Sequence, residues 1–221
     1  MKTKNIKYWG QNFLEGMGIS ILCAVVFSFF QICRGDYSQG MSVLMIEVLS
    51  LFPYYLFFST AFVILMLVIG YFQVYFSVLV SVNALRKNVA RGIGGSIGLT
   101  AATTILAAGV IWKLVPGDIA EAGIKILPLL SGILFLASGI FLIFGGAAAK
   151  WGKVGKIIVT ILCMGMGAAA GITLAMDSDV IPLIMKLAEG HFMPVCMIGV
   201  VLYLISCVLV EWMTRKFEVH V

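Results

Sequence analysis

Six apolar stretches, each close to the ~20 residues a helix needs to cross about 30 Å of hydrocarbon, alternate with short segments whose charge changes sign from one to the next. Of 15 Lys and Arg residues, 11 fall in four segments: the N-terminus, 83 to 92, 150 to 156 and the C-terminus. Of 10 acids, 7 fall in the three segments between them. Short basic loops stay on the cytoplasmic side, so the pattern predicts an all-α, polytopic membrane protein. It predicts six transmembrane helices in the cell membrane, with N- and C-termini cytoplasmic.

Composition agrees: 62% of the residues are hydrophobic and 11% charged, with a mean hydropathy of +1.10, far from the usage of soluble domains. Once six spans are assigned, only short connections remain, the longest near 35 to 52 and 177 to 191. The chain reads as a single transmembrane domain over 1 to 221, without room for a nucleotide-binding or hydrolase domain. The net charge of +5 then describes orientation, and nucleic acid is not an expected partner. Membrane lipid is.

The first residues combine a basic start with an apolar run, the outline of a signal peptide. No small-residue cleavage site follows Phe30, so the segment reads as part of the mature protein. Residues 1 to 15 place Ile6, Trp9, Phe13 and Leu14 near one helical face, as in an interfacial helix. It leads into span one, about 17 to 33. Residues 41 to 82 carry one charge, Glu47, and one proline, Pro53. Proline suits the first turn of a helix, where its missing N–H costs nothing. The expectation is an outer interfacial helix at 41 to 51, then a long span two over 53 to 82. Span three is expected at 93 to 112, span four at 126 to 148, a basic turn at 149 to 156, span five at 157 to 176 and span six at 193 to 212. Gly94 and Gly98, like Gly167 and Gly171, are spaced four apart and suit close helix packing. The outer loop 177 to 191 has a cap at Asp177 or Ser178, Pro182 in its first turn and Gly190 at its end, as a short amphipathic helix would.

Catalysis or ion coupling inside a membrane needs acids, bases or metal ligands at depth. All acids map to loops or span ends, and the two histidines, His191 and His220, lie in an outer loop and at the C-terminus. No catalytic residue, metal site or cofactor is therefore expected. Residues 146 to 153 have a superficial P-loop outline without its spacing, so any ATP must be bound by another subunit. The five cysteines lack metal-ligand spacing. They read as free thiols, with a Cys33–Cys196 disulfide the alternative at the outer face. Gln73, one of few amides within the spans, suits an interhelical hydrogen bond or a polar pathway with Tyr71 and Tyr75. No span shows a polar stripe, which weighs against a simple pore.

The cytoplasmic segment 81 to 92, Ser-Val-Asn-Ala-Leu-Arg-Lys-Asn-Val-Ala-Arg-Gly, offers Arg86, Lys87 and Arg91 on a short helix parallel to the membrane. It is either a positive-inside anchor or a coupling helix for a soluble motor. Here the chain resembles permeases of the type-2 ABC transporter group. Ser81, Val82, Arg86 and Lys87 keep the frame of their apolar-Ser-x-Gly-x-Thr-Arg-Lys stretch, while Asn83 replaces the usual Gly and Leu85 the usual Thr. Asn tolerates a left-handed turn next best after Gly. Lys-Trp-Gly-Lys-Val-Gly-Lys at 150 to 156 is similar to the turn between their fourth and fifth spans. The ending at 214 to 221 is similar to their basic tail.

The resemblance implies a half-transporter: the permease subunit of an ABC exporter, paired with a second permease chain and driven by a separate ABC ATPase subunit. It assigns ATPase coupling to Asn83, Arg86, Lys87, Asn88 and Arg91, a pathway to Tyr71, Gln73 and Tyr75, and an outer lid to the loop holding Asp177, Asp179 and Pro182. The alternative from another class is a non-transporting membrane interaction protein, such as an immunity, sensor or assembly factor.

Overall fold

In a computed structural model, residues 2–34, 40–72, 86–175 and 192–215 are described. Five helices account for nearly all of them: α1 (Lys2–Arg34), α2 (Met41–Gly70), α3 (Arg86–Leu114), α4 (Asp118–Ala175) and α5 (Phe192–Arg215). No strand occurs among the described residues. Each helix contains a stretch long and apolar enough to cross a bilayer: Trp9–Phe30, Met41–Gly70, Asn88–Leu114, Asp118–Trp151 and Phe192–Thr214. Large apolar side chains such as Phe29, Leu106, Met197 and Val208 point outward, an arrangement suited to hydrocarbon and costly in water. This is a multi-pass membrane protein.

The helices differ in extent from the sequence expectations. α1 runs without a break through residue 16, so the N-terminal segment leads directly into the first span as expected; Trp9 packs on Gly92 of α3 and edge-on to Tyr71 at 5.9 Å. At 33 residues it is about 50 Å long. α2 starts at Met41 behind Gly40, whose φ of 92° suits a residue without Cβ, and carries Pro53 in its interior. Pro53 therefore does not open a helix. Its ring disturbs the preceding turn, and a carbonyl of that turn, Ser50 O, accepts a hydrogen bond from Trp112 Nε1 at 2.8 Å. Such outside donors are how a helix inside a membrane keeps a proline.

α3 begins at Arg86, with no separate short helix at 86–92. The reason is its buried stripe: Val89, Ile93, Ile97, Ala101, Ala108 and Trp112 follow the four-residue spacing of one helical face, so the packed face continues through the basic segment. The three residues 115–117 join α3 to α4, with Gly117 at φ 134°.

α4 is assigned as one helix through 149–156, yet the chain does turn at that basic segment, as expected. A Cβ on Gly155 would come within 2.9 Å of the Ala148 Cα, positions that a straight helix holds about 10 Å apart. The chain is therefore bent sharply at the basic segment. α5 lies antiparallel along the first part of α4. A Cβ on Gly132 would meet Val195 O at 2.6 Å, one on Gly139 would meet Ser206 Oγ at 2.8 Å, and one on Gly146 would meet Val210 at 3.3 Å. Glycine every seven residues keeps one face of α4 against its partner at a small crossing angle.

Cys33 and Cys196 are free thiols, which removes the disulfide alternative.

Candidate functional site at the basic end of the bundle

Three contacts draw four basic segments to one end of the molecule. Trp9, in the N-terminal segment, packs on Gly92. Arg91, at the start of α3, grips Glu211 near the end of α5, with Nε to Oε2 at 2.8 Å and Nη2 to Oε1 at 3.3 Å. Lys150, at the bend of α4, places Nζ 6.0 Å over the Trp212 ring, at the outer limit of a cation–π contact. Sequence separation of 120 residues between Arg91 and Glu211 is closed by the packing of α3 on α5. There, Tyr203 donates to Gly94 O and a Cβ on Gly98 would meet Tyr203 Oη at 3.0 Å.

Of the expected coupling residues, Arg86 and Lys87 open α3, and Asn88 is exposed on its first turn. Arg91 is 58% exposed but its carboxylate partner only 12%. Its fork is thus engaged within the chain rather than free for another subunit. Asn83 lies outside the described residues, as do Gln73, Tyr75, Asp177, Asp179 and Pro182. Tyr71 is buried at 3% exposure in the core, where the helix widens into a π-type turn at Tyr71 and Phe72. It faces Trp9.

The interior offers little for acid–base chemistry. Among the described residues, the buried polar side chains outside the aromatic groups are all Ser or Thr, and no group of three His, Cys, Asp or Glu could hold a metal ion. The hydroxyls satisfy one another or nearby carbonyls. Thr60 and Thr104 Oγ1 are 3.0 Å apart, Ser59 Oγ donates to Ser20 O at 2.9 Å, and Thr103 Oγ1 donates to Met17 Sδ at 3.2 Å. The sequence reading missed this stripe. Ser96, Thr100 and Thr104 recur at four-residue spacing on α3, and that period is the signal that would have found it. It is a polar seam gluing α1, α2 and α3.

Glu211 and Trp212 were missed as well, since a lone acid near a basic tail has no local signature. A second feature is an apolar groove of about 280 Å³ between α2 and α4, floored by Tyr54, Phe57, Ala61, Leu130, Leu134 and Ala137. Compared with protein-family models, curated proteins and solved structures, the chain matches none.

Proposed function

We propose that this chain is the membrane subunit of an ABC exporter, with six spans, both termini cytoplasmic, a second permease chain completing the pathway and a separate ATPase subunit bound below. One observation carries the reading. The segments on which the resemblance rests, 81–87, 150–156 and 214–221, are far apart in sequence. Yet the described parts beside them, Arg91, Lys150, Glu211 and Trp212, converge at one end, where a cytoplasmic motor would need them together. The Lys and Arg residues of the segments that meet there favour a cytoplasmic placement of that end. In this reading the sixth crossing is the apolar stretch expected at 157–176.

In this reading Arg86, Lys87 and Asn88 make the motor contact. Arg91 acts behind them, holding the start of α3 to the end of α5 through Glu211. The cargo-facing assignment of Gln73 and Tyr75 and the lid role of Asp177, Asp179 and Pro182 belong to the same proposal.

The filled interior supports the alternative of a non-transporting interaction protein, because the described hydroxyls are spent on helix packing. Purification of the tagged chain from its native membrane in mild detergent, with mass spectrometry of what co-purifies, separates the two. A stoichiometric subunit with nucleotide-binding motifs, released by R86E/K87E while the membrane domain stays folded, is expected. Recovery of the chain with membrane proteins alone would favour the alternative.

A further inference from the structure

The charge-free stretches of α4 and α5 end together. α4 carries no charge from 126 to 149 and α5 none from 192 to 210, about 36 Å and about 28 Å of helix, each close to the thickness of a hydrocarbon core. The two helices are antiparallel, and the contact of Gly146 with Val210 sets the end of one stretch beside the end of the other. Lys150 and Trp212 therefore lie at one boundary of the apolar layer, where lipid headgroups begin. Trp151 and Trp212 are 56% and 61% exposed, the placement that indoles favour at such a boundary.

The charges at this boundary do not cancel. Residues 150–156 and 211–218 hold five cations, Lys150, Lys153, Lys156, Arg215 and Lys216, against Glu211 and Glu218. Glu211 is taken by Arg91 at 2.8 Å and is only 12% exposed, so its charge is already answered from α3. Lys150 is exposed and forms no ion pair among the described residues. Its contact is the face of Trp212, 6.0 Å from Nζ, which orients the ammonium but leaves its N–H donors in need of acceptors. The bend of α4 keeps the rest of the basic segment at this level: a Cβ on Gly155 would lie 2.9 Å from Trp151 Cβ.

An anionic phospholipid answers each of these features. Its phosphodiester offers oxygens to an ammonium held at headgroup depth. Its ester region lies at the depth of the exposed indoles, and its acyl chains run along the charge-free lengths of α4 and α5. A soluble anion shares only the first of these. A zwitterionic headgroup brings its own cation and gains little from the surplus of positive charge. We propose that the bend of α4 and the end of α5 form a headgroup site for an anionic phospholipid, with Lys150 on the phosphate and Trp212 beside it at the ester level. The site requires membrane residence and does not depend on the exporter reading.

The test is native mass spectrometry of the full chain released from detergent, titrated with phosphatidylglycerol or with phosphatidylcholine of the same acyl composition. The first phosphatidylglycerol should bind at least about fivefold more tightly than the first phosphatidylcholine, and K150Q should lose about fivefold of that affinity, the weight of one Lys at an anionic surface, at unchanged helical content. K150R should keep it. K125Q removes an exposed Lys at the opposite end of the same charge-free stretch and should leave the affinity unchanged. Equal affinity for the two lipids, or equal loss in K125Q and K150Q, overturns the proposal. Displacement of phosphatidylglycerol by millimolar inorganic phosphate overturns it in favour of a soluble anion. Loss from K150Q of a co-purifying nucleotide-binding subunit, with lipid affinity unchanged, overturns it in favour of a protein partner and leaves the exporter reading standing. A measurement on the parent chain needs no variant. In mixed vesicles, acyl-brominated phosphatidylglycerol diluted in phosphatidylcholine should quench indole fluorescence more than the reverse labelling at the same mole fraction, and equal quenching overturns the site.

Discussion

Pro53 and Trp112 are joined through one turn of backbone. Pro53 has no N–H to give and its ring opens the turn before it; the indole of Trp112 then donates to Ser50 O. If that donor compensates the opened turn, Trp112→Phe should lower stability by about 1–2 kcal/mol, and by less in a Pro53→Ala background, where the turn closes on itself. Unfolding in mixed micelles across the double-mutant cycle measures the difference. Equal costs in both backgrounds would show that Trp112 contributes only packing. Arg91 makes a contrasting case at the same scale. The sequence marks it as a basic residue of a segment expected in the cytoplasm, but not that Glu211 holds it. With Arg91 largely exposed, the pair contributes under about 1 kcal/mol, so it orients two helix ends more than it stabilises them.

At the scale of elements, helix existence was legible and helix limits were not. Apolar length announces a helix, yet continuity across Pro53 depends on what packs outside. α2 continues because α3 supplies a donor, and α3 extends back to Arg86 because its buried stripe does. The α4–α5 contact was visible as glycines at 132, 139 and 146, but a seven-residue spacing has no meaning until the partner is known. Gly132 meets backbone atoms of α5, which cannot rotate aside, whereas Gly95 is exposed with nothing within 4 Å of a Cβ. Gly132→Leu should therefore destabilise by about 2–3 kcal/mol. Gly95→Ala should be neutral or stabilising by up to about 1 kcal/mol. Unfolding free energies of the two variants test this, and a neutral Gly132→Leu would mean the helices do not approach as described.

For the whole molecule, the arrangement of ends is the statement most open to direct test. With the native cysteines replaced, single cysteines at Asn88 and at Lys153 should resist a membrane-impermeant maleimide added outside cells, while those at Gly40 and Gly117 should react. Labelling of Asn88 and Gly117 from the same side would remove the six-crossing topology. The candidate site was legible in part. Its basic residues follow from the orientation rule, while its convergence required Arg91, Glu211, Lys150 and Trp212 to meet across helices. Membrane residence, helical class and the charge alternation were fixed along the chain, because backbone groups in hydrocarbon must bond locally and charges must stay at the ends. Which helices touch, where α4 bends, that the hydroxyls of α3 face inward and that an apolar groove is left between α2 and α4 were decided in three dimensions. Contact between apolar side chains is non-directional, and their pairing depends on shape, which no single segment contains.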